Sequence, residues 1–353
     1  MANLKYGETH ITNITQLCGS GTWSLPQPEV VDTTQDCIIC IDNDLDFNDE
    51  DFYYHNDNFL SIALPNGKAK SVTFDGQNHT LTNMYMLSQK SFFYVTDGYD
   101  SGYIDFVIKN TTFEIVLNSF AKMMTLLSSR ASLTFRNCIF NIKSISSLNS
   151  IFYKNKDRNS DTGTNSFVNC IFNIECNCLS NFNVLYAGTD RGVIGNIESC
   201  EFRIKIIHAT PNHTITLVYN TITDIFRNDN FSNSLVFVNN YSNELVTIKL
   251  VYDNNTNASS SYIKSFTNNF ISAFDGVSAE ENKVSLDIEV AKGSTTTLSS
   301  SFFIDTDCVS ISSHLQELAD TTYPGMINLI PLTTAESKSP TEMAAKGYVF
   351  AQE

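Results

Sequence analysis

In the phrase Phe135-Arg136-Asn137-Cys138-Ile139-Phe140-Asn141-Ile142, apolar and polar positions alternate, and the alternation changes parity once. Phe135 shares a face with Asn137, whereas Cys138, Phe140 and Ile142 share the opposite one. A period of two predicts strands, and the parity change predicts two strands meeting at a one-residue bend. Asn is the non-glycine residue that most readily takes the left-handed conformation such a bend needs, and its side chain can bond an Asn stacked above it.

The phrase returns as Phe167-Val168-Asn169-Cys170-Ile171-Phe172-Asn173-Ile174 and, weakened, as Ile197-Glu198-Ser199-Cys200-Glu201-Phe202-Arg203-Ile204. An earlier copy begins at Ile108-Lys109-Asn110, and Phe266-Thr267-Asn268-Asn269-Phe270-Ile271 keeps the first half. The steps are 27 (108 to 135), 32 (135 to 167) and 30 (167 to 197) residues. Helical hairpins of fixed length fit such uneven steps badly; a coil of short strands with variable outer loops fits them well. The fold class expected is therefore all-β, a parallel β-helix, with Asn110, Asn137, Asn169 and Asn268 laddered on one corner. Cys138, Cys170 and Cys200 fall into one internal column at the spacing of paired strands, about 4.8 Å, where a thiol serves as a small apolar filler.

Composition agrees with one large coil. Of 353 residues 42% are apolar and 25 are Phe, enough for a long core without disulfides. The nine cysteines are odd in number, and Cys37/Cys40 and Cys176/Cys178 lack zinc-finger spacing. Unpaired internal thiols point to assembly in a reducing cytoplasm. The N-terminus lacks the pattern of a secretory signal, and no apolar run reaches membrane-spanning length, so no membrane insertion is expected. A formal charge of −16 repels phosphate backbones, so nucleic acid is not expected as a partner. It also disfavours polyanionic glycans, which leaves a neutral glycan or a protein as the easier partner.

Three regions are expected. Residues 1–60, with Trp23 between Gly19-Ser20-Gly21 and Pro26, form an irregular N-terminal capping or attachment region; 61–310 form the coil. Residues 311–353 form a C-terminal cap or contact segment. There Ser312–Leu318 can make a helical turn, and Ser339-Pro340-Thr341-Glu342, followed by Gly347, carries helix start and stop signals. Tyr323, Ile330, Tyr348 and Phe350 are its apolar anchors, placed to close the last rung or to touch a neighbouring chain.

The strand ending Phe74-Asp75-Gly76, followed by Thr80-Leu81-Thr82-Asn83, resembles the opening coil of the right-handed parallel β-helices of the pectin-lyase-like superfamily. The Asn-Cys-x-Phe phrases resemble that superfamily's Asn ladders. The resemblance spans residues 60–310 and implies a right-handed coil. It does not imply one activity, because the superfamily includes lyases, hydrolases, adhesins and bacteriophage tailspikes and fibres.

Its enzymes use carboxylates on the coil surface, alone or with calcium. Candidate acid clusters here are Asp97, Asp100 and Asp105; Asp157 and Asp161 beside Lys156 and Arg158; Asp190 with Arg191; and Asp305 with Asp307. None aligns with a lyase or polygalacturonase signature, and solvated loop acids explain them. The run Asp42–Asp51 starts like a calcium loop, but Phe47 and Tyr53 occupy the places of the turn Gly and the closing Glu. The six histidines are dispersed. No catalytic, metal-binding or cofactor-binding residue is assigned, and no cofactor is expected.

The expectation for function is a structural virion component assembled in the host cytoplasm: a bacteriophage fibre, spike or decoration protein. The resemblance implies a homotrimer whose partners are other virion proteins and a host-surface glycan. The alternatives are a polysaccharide-degrading lyase or hydrolase and a bacterial surface adhesin. Any ligand groove is expected along a flank, where strand faces repeat and an extended chain can follow them.

Overall fold

A computed structural model describes residues 7–18, 36–48, 60–64, 71–86, 91–97, 104–118, 122–127, 131–144, 150–154, 165–187, 194–220, 226–253, 261–274, 276–290 and 295–350. Trp23, Tyr53, His55, Asp100, the 156–161 cluster and the 190–191 pair lie outside these residues.

Among the described residues, each coil from Cys37 to Asp253 contributes one strand to each of three parallel sheets, whereas the coil that begins at Gly7 contributes to the first alone. The first sheet runs from Gly7–Ile11 through Cys37–Ile41, Ser71–Asp75, Ile104–Lys109, Ala131–Arg136, Asn165–Val168 and Ile194–Glu198 to Phe226–Ser232. The second runs from Leu45–Asp46 through Thr80–Met86, Thr112–Leu117, Ile139–Ser144, Ile171–Cys178 and Glu201–Ala209 to Leu235–Asn240. The two then share the long strands Ser261–Ser272, Thr295–Asp305 and Ile327–Leu332. The third runs from Leu60–Leu64 to Ser310–Ile311. The chain is thus a parallel β-helix. Among the described residues no helix is long and apolar enough to cross a membrane.

The bend between first and second sheets is where the parity change puts it. Asn110, Asn137, Asn169 and Asn268 have φ of 52, 54, 52 and 57°, and Ser199 keeps 54° without the amide. Asn233, at 52°, is a further corner that the repeat phrase did not reveal, because its copy reads Phe231-Ser232-Asn233-Ser234-Leu235-Val236. The ladder is bonded side chain to side chain: Asn137 Nδ2 donates to Asn110 Oδ1 at 3.1 Å, Asn169 to Asn137 at 3.5 Å and Asn268 to Asn233 at 2.9 Å. Gly76 precedes the first such corner in the Phe-Asp-Gly motif. A Cβ there would stand 2.5 Å from the Asn110 carbonyl oxygen of the next rung, so close backbone approach explains the glycine.

The residue after each corner turns inward and forms a second column: Thr111, Cys138, Cys170, Cys200, Ser234 and Asn269, each at most 2% exposed. The cysteines are more than filler. Cys138, Cys170 and Cys200 donate from Sγ to the carbonyl two residues earlier at 3.4, 3.4 and 3.5 Å, as Thr111 Oγ1 and Ser234 Oγ do at 2.8 and 3.0 Å. A short side chain with one donor therefore unites the column, which is why Cys, Ser and Thr interchange there. Burial pushes the thiols of Cys138 and Cys200 up, keeping them protonated donors.

Below that corner the core is stacked phenylalanine. Phe113, Phe140, Phe172 and Phe202 lie ring over ring, with centroids 5.4, 5.0 and 4.6 Å apart. Phe135 and Phe167 stack beside them at 4.9 Å, and Phe152 from the third sheet meets Phe135 and Phe140 edge-on at 5.4 and 5.2 Å. Each buried ring contributes about 1.5–3 kcal/mol from burial, and each aromatic pair about 0.5–1.5 kcal/mol more. Phe140 sits at the centre, so Phe140→Ala is the single change that breaks this region most directly.

The ladders run beyond both expected boundaries. Gly7–Ile11 and Cys37–Ile41 already pair in the first sheet, and Ile327–Leu332 continues it past residue 310. The early strands lack the repeat phrase, yet Ile39, Ile41, Leu45 and Phe47 face inward and are buried. The short helix Ile14–Cys18 covers the first coil with Leu17. The last strand tolerates Pro331 because a terminal strand needs no further N–H donor there, and proline blunts the open edge.

The C-terminal segment packs on its own coil. Leu315, Leu318 and Tyr323 close the end of the main core. The helix Pro340–Ala345 starts at Ser339, whose side chain accepts from the Glu342 N–H, as its sequence predicts. A reciprocal capping box forms instead at Thr333/Glu336, heading the helix Thr334–Ser337. Beyond them Met343 and Tyr348 fold over Phe270, Phe303 and Leu332 as a second, small core on the outer face of the second sheet. Phe350 remains exposed.

Candidate functional site

The outer face of the second sheet is where the strands offer a ligand repeated chemistry. Outward positions alternate with core positions along Ile139–Ser144, Ile171–Cys178, Glu201–Ala209 and Leu235–Asn240. Parallel register then stacks them in columns. One reads Asn141, Asn173, Arg203, Phe237; the next reads Lys143, Glu175, Lys205, Asn239. All of these but the buried Asn239, together with Glu201 and Phe274, line a groove of about 710 Å³. The C-terminal segment covers the same face on the later rungs, so the groove opens where that cover stops.

The groove's side chains are positioned by one another. Asn173 Nδ2 donates to Asn141 Oδ1 at 2.7 Å, extending an amide ladder across two rungs. Lys143 and Glu175 pair at 3.1 Å, and Arg203 Nε donates to Glu201 Oε1. Lys205 Nζ lies 5.4 Å from the centre of the Phe274 ring, a cation–π contact that holds the ring at the rim. Phe274's backbone N–H in turn donates to Asn239 Oδ1 at 3.0 Å. Phe237 meets Phe270 edge-on at 5.9 Å, joining the groove to the small C-terminal core. These ion pairs are surface pairs, so they orient side chains more than they stabilise the fold. The result is a trough with amide donors and acceptors on its floor and aromatic rings at one end.

Among the described residues, the acids singled out by sequence do not line this groove. Asp105 is exposed, and the side chain of Asp97 lies outside the described residues. Asp305 is fully buried and accepts from Ser272, Thr334 and Ser337 hydroxyls, each at 3.0 Å. Asp307 Oδ2 accepts from the Thr334 N–H at 2.8 Å. Both therefore fasten the helix Thr334–Ser337 to the coil. In the acidic run, Asp44 is bonded by the Thr80 N–H and His79, and Asp46 by Asn83 and the Asn48 N–H. Those bonds hold both carboxyls below their usual range. Asp42, Asp44 and Asp46 thus reach sideways to Gln77, His79 and Asn83 on the next rung.

Sequence reasoning placed a groove on a flank but chose none of its residues. Outward positions carry no shared residue type, so nothing repeats for a sequence to display; only register brings Asn141, Asn173, Arg203 and Phe237 into line. The fold defines a parallel β-solenoid. This chain matches no family model, no curated protein and no solved structure.

Proposed function

We propose that the protein is a binding β-helix whose second-sheet groove takes an extended, uncharged glycan. The observation that carries this is the pairing of an amide ladder, Asn141 and Asn173, with the rings of Phe237 and Phe274 in one trough along the rungs. Hydroxyl-rich chains match amide donors and acceptors, and their apolar faces match aromatic rings. Mixed charge in the groove and a net charge of −16 favour a neutral ligand over a polyanion.

The setting proposed is a virion component, a fibre, spike or decoration protein that meets a host-surface glycan. It rests on the resemblance of the Phe-Asp-Gly and Asn-Cys-x-Phe phrases to a β-helix superfamily that includes tailspikes and fibres. In that setting the partners are other virion proteins and further copies of the chain in a trimer. Calorimetric titration with neutral capsular and cell-wall oligosaccharides tests the binding function. Binding should weaken at least tenfold in Asn173→Ala and Phe274→Ala. Unchanged affinity in the double variant, or release of new reducing ends during incubation, would overturn it. Mass measurement in solution tests the trimer separately.

A further inference from the structure

We propose that Glu8, His10 and Cys40 form a divalent-cation site of zinc type at the N-terminal end of the coil. Glu8 and His10 are two residues apart on the strand Gly7–Ile11 and so project from the same face. His10 pairs in register with Cys40 on the strand Cys37–Ile41. Inward neighbours Ile11, Ile39 and Ile41 are buried in the core, so all three side chains lie on the outer face.

The ligand atoms are already gathered. Cys40 Sγ lies 3.2 Å from Glu8 Oε1, and His10 Nε2 lies 3.6 Å from the same oxygen. All three ligand atoms fall within 4.8 Å of one another. Tetrahedral zinc, with about 2.3 Å to sulfur and about 2.0–2.2 Å to nitrogen or oxygen, needs ligand–ligand edges of about 3.3–3.7 Å. Two contacts are therefore close to those edges, and a small side-chain rotation sets the third.

A second feature points the same way. His10 Nδ1 is held by Asp42, at 2.9 and 2.8 Å from its two carboxylate oxygens, and Asp42 Oδ1 accepts from Gln77 Nε2 at 2.7 Å. With its proton on Nδ1, the ring turns the lone pair of Nε2 toward Glu8 and Cys40. This is the carboxylate–histidine arrangement that orients metal-bound imidazoles. A thiolate, an imidazole and a carboxylate together suit zinc better than calcium or magnesium, which prefer oxygen alone. On binding, the Cys40 S–H bond breaks, sulfur keeps the electron pair to form the metal bond, and the proton leaves to solvent.

Such an ion would clip the first rung to the second. His10 and Cys40 are 30 positions apart (40 − 10), and the metal would close the intervening chain. Among the described residues the strand Gly7–Ile11 is paired on one side only, by Cys37–Ile41.

Cobalt(II) added to the reduced, chelator-treated full chain tests the site directly. Expected are one equivalent bound, tetrahedral visible bands with a near-ultraviolet thiolate charge-transfer band, and displacement of both by zinc. Cys40→Ser should remove the charge-transfer band. His10→Ala and Glu8→Gln, both on exposed side chains, should weaken binding at least tenfold with the circular-dichroism spectrum unchanged, so the test does not depend on Cys40→Ser folding. Asp42→Asn should retain the bands and weaken binding about 10- to 100-fold. Absence of bands in the native chain, bands unchanged in Cys40→Ser, or His10→Ala and Glu8→Gln binding as tightly as the native chain would refute the site.

Discussion

Replacing Cys170 distinguishes a thiol that only fills space from one that donates. Cys170 is fully buried between Cys138 and Cys200 in its column, and its Sγ donates to the Val168 carbonyl at 3.4 Å. That carbonyl also accepts from the Asn137 N–H at 3.1 Å, so losing the thiol leaves it partly satisfied. Serine keeps a donor in the geometry that Ser234 already uses two rungs away. It forgoes about 1 kcal/mol of apolar burial and regains most of it through a stronger bond, for a net change within about 1 kcal/mol. Alanine loses the same burial and the bond and leaves a small cavity, about 1.5–2.5 kcal/mol in all. Valine loses the bond and adds a methyl group to a packed column, about 2–3 kcal/mol. Urea unfolding followed by circular dichroism, with the slope shared among variants, should rank them serine, alanine, valine in falling stability. A serine variant less stable than the alanine variant would show that the buried hydroxyl finds no partner, and the donor role would be wrong.

Two further outcomes follow from corner and cap. Asn137→Ala should cost about 1–2 kcal/mol by removing ladder bonds while keeping a left-handed residue, whereas Asn137→Gly should recover about 1 kcal/mol of that in the same urea assay. Glu336 is held below its usual range by the Thr333 N–H and then by Lys346; a depressed carboxyl contributes stability above its unfolded value of 4.5 and loses it as pH falls through the folded value. The difference between native and Glu336→Gln midpoints should therefore be present at neutral pH and vanish on acidification below that range, and a pH-independent difference would contradict the assignment.

How much of this was legible beforehand depended on whether a position's role forces its residue type. A left-handed corner admits few residues, so Asn110, Asn137, Asn169 and Asn268 announced themselves, as did the inward cysteines beside them. The copy at 231–236 escaped because serine replaces cysteine and valine replaces phenylalanine, substitutions the column accepts. The strand at 7–11 escaped because its one inward isoleucine, Ile11, follows Glu8 and His10, and the strand at 37–41 escaped because Cys37-Ile38-Ile39-Cys40-Ile41 is apolar throughout and shows no alternation. Outward positions are free to vary, so neither the groove nor the meeting of His10 with Cys40 has a linear signature. Both exist only because one turn of chain brings residues some thirty positions apart to adjacent strands.

The last bonded member of the corner ladder, Asn268, donates from Nδ2 to the Val349 carbonyl at 2.6 Å and accepts the Val349 N–H on Oδ1 at 2.9 Å. The chain's own tail thereby occupies the hydrogen-bonding groups that another asparagine would otherwise claim. Length and termination are handled by separate parts of the molecule. A duplicated segment spliced into the middle, between the copies at 135 and 167, would meet only neighbours of its own kind and leave both finishing pieces untouched, so evolution or a designer can set the reach of this rod by copy number alone.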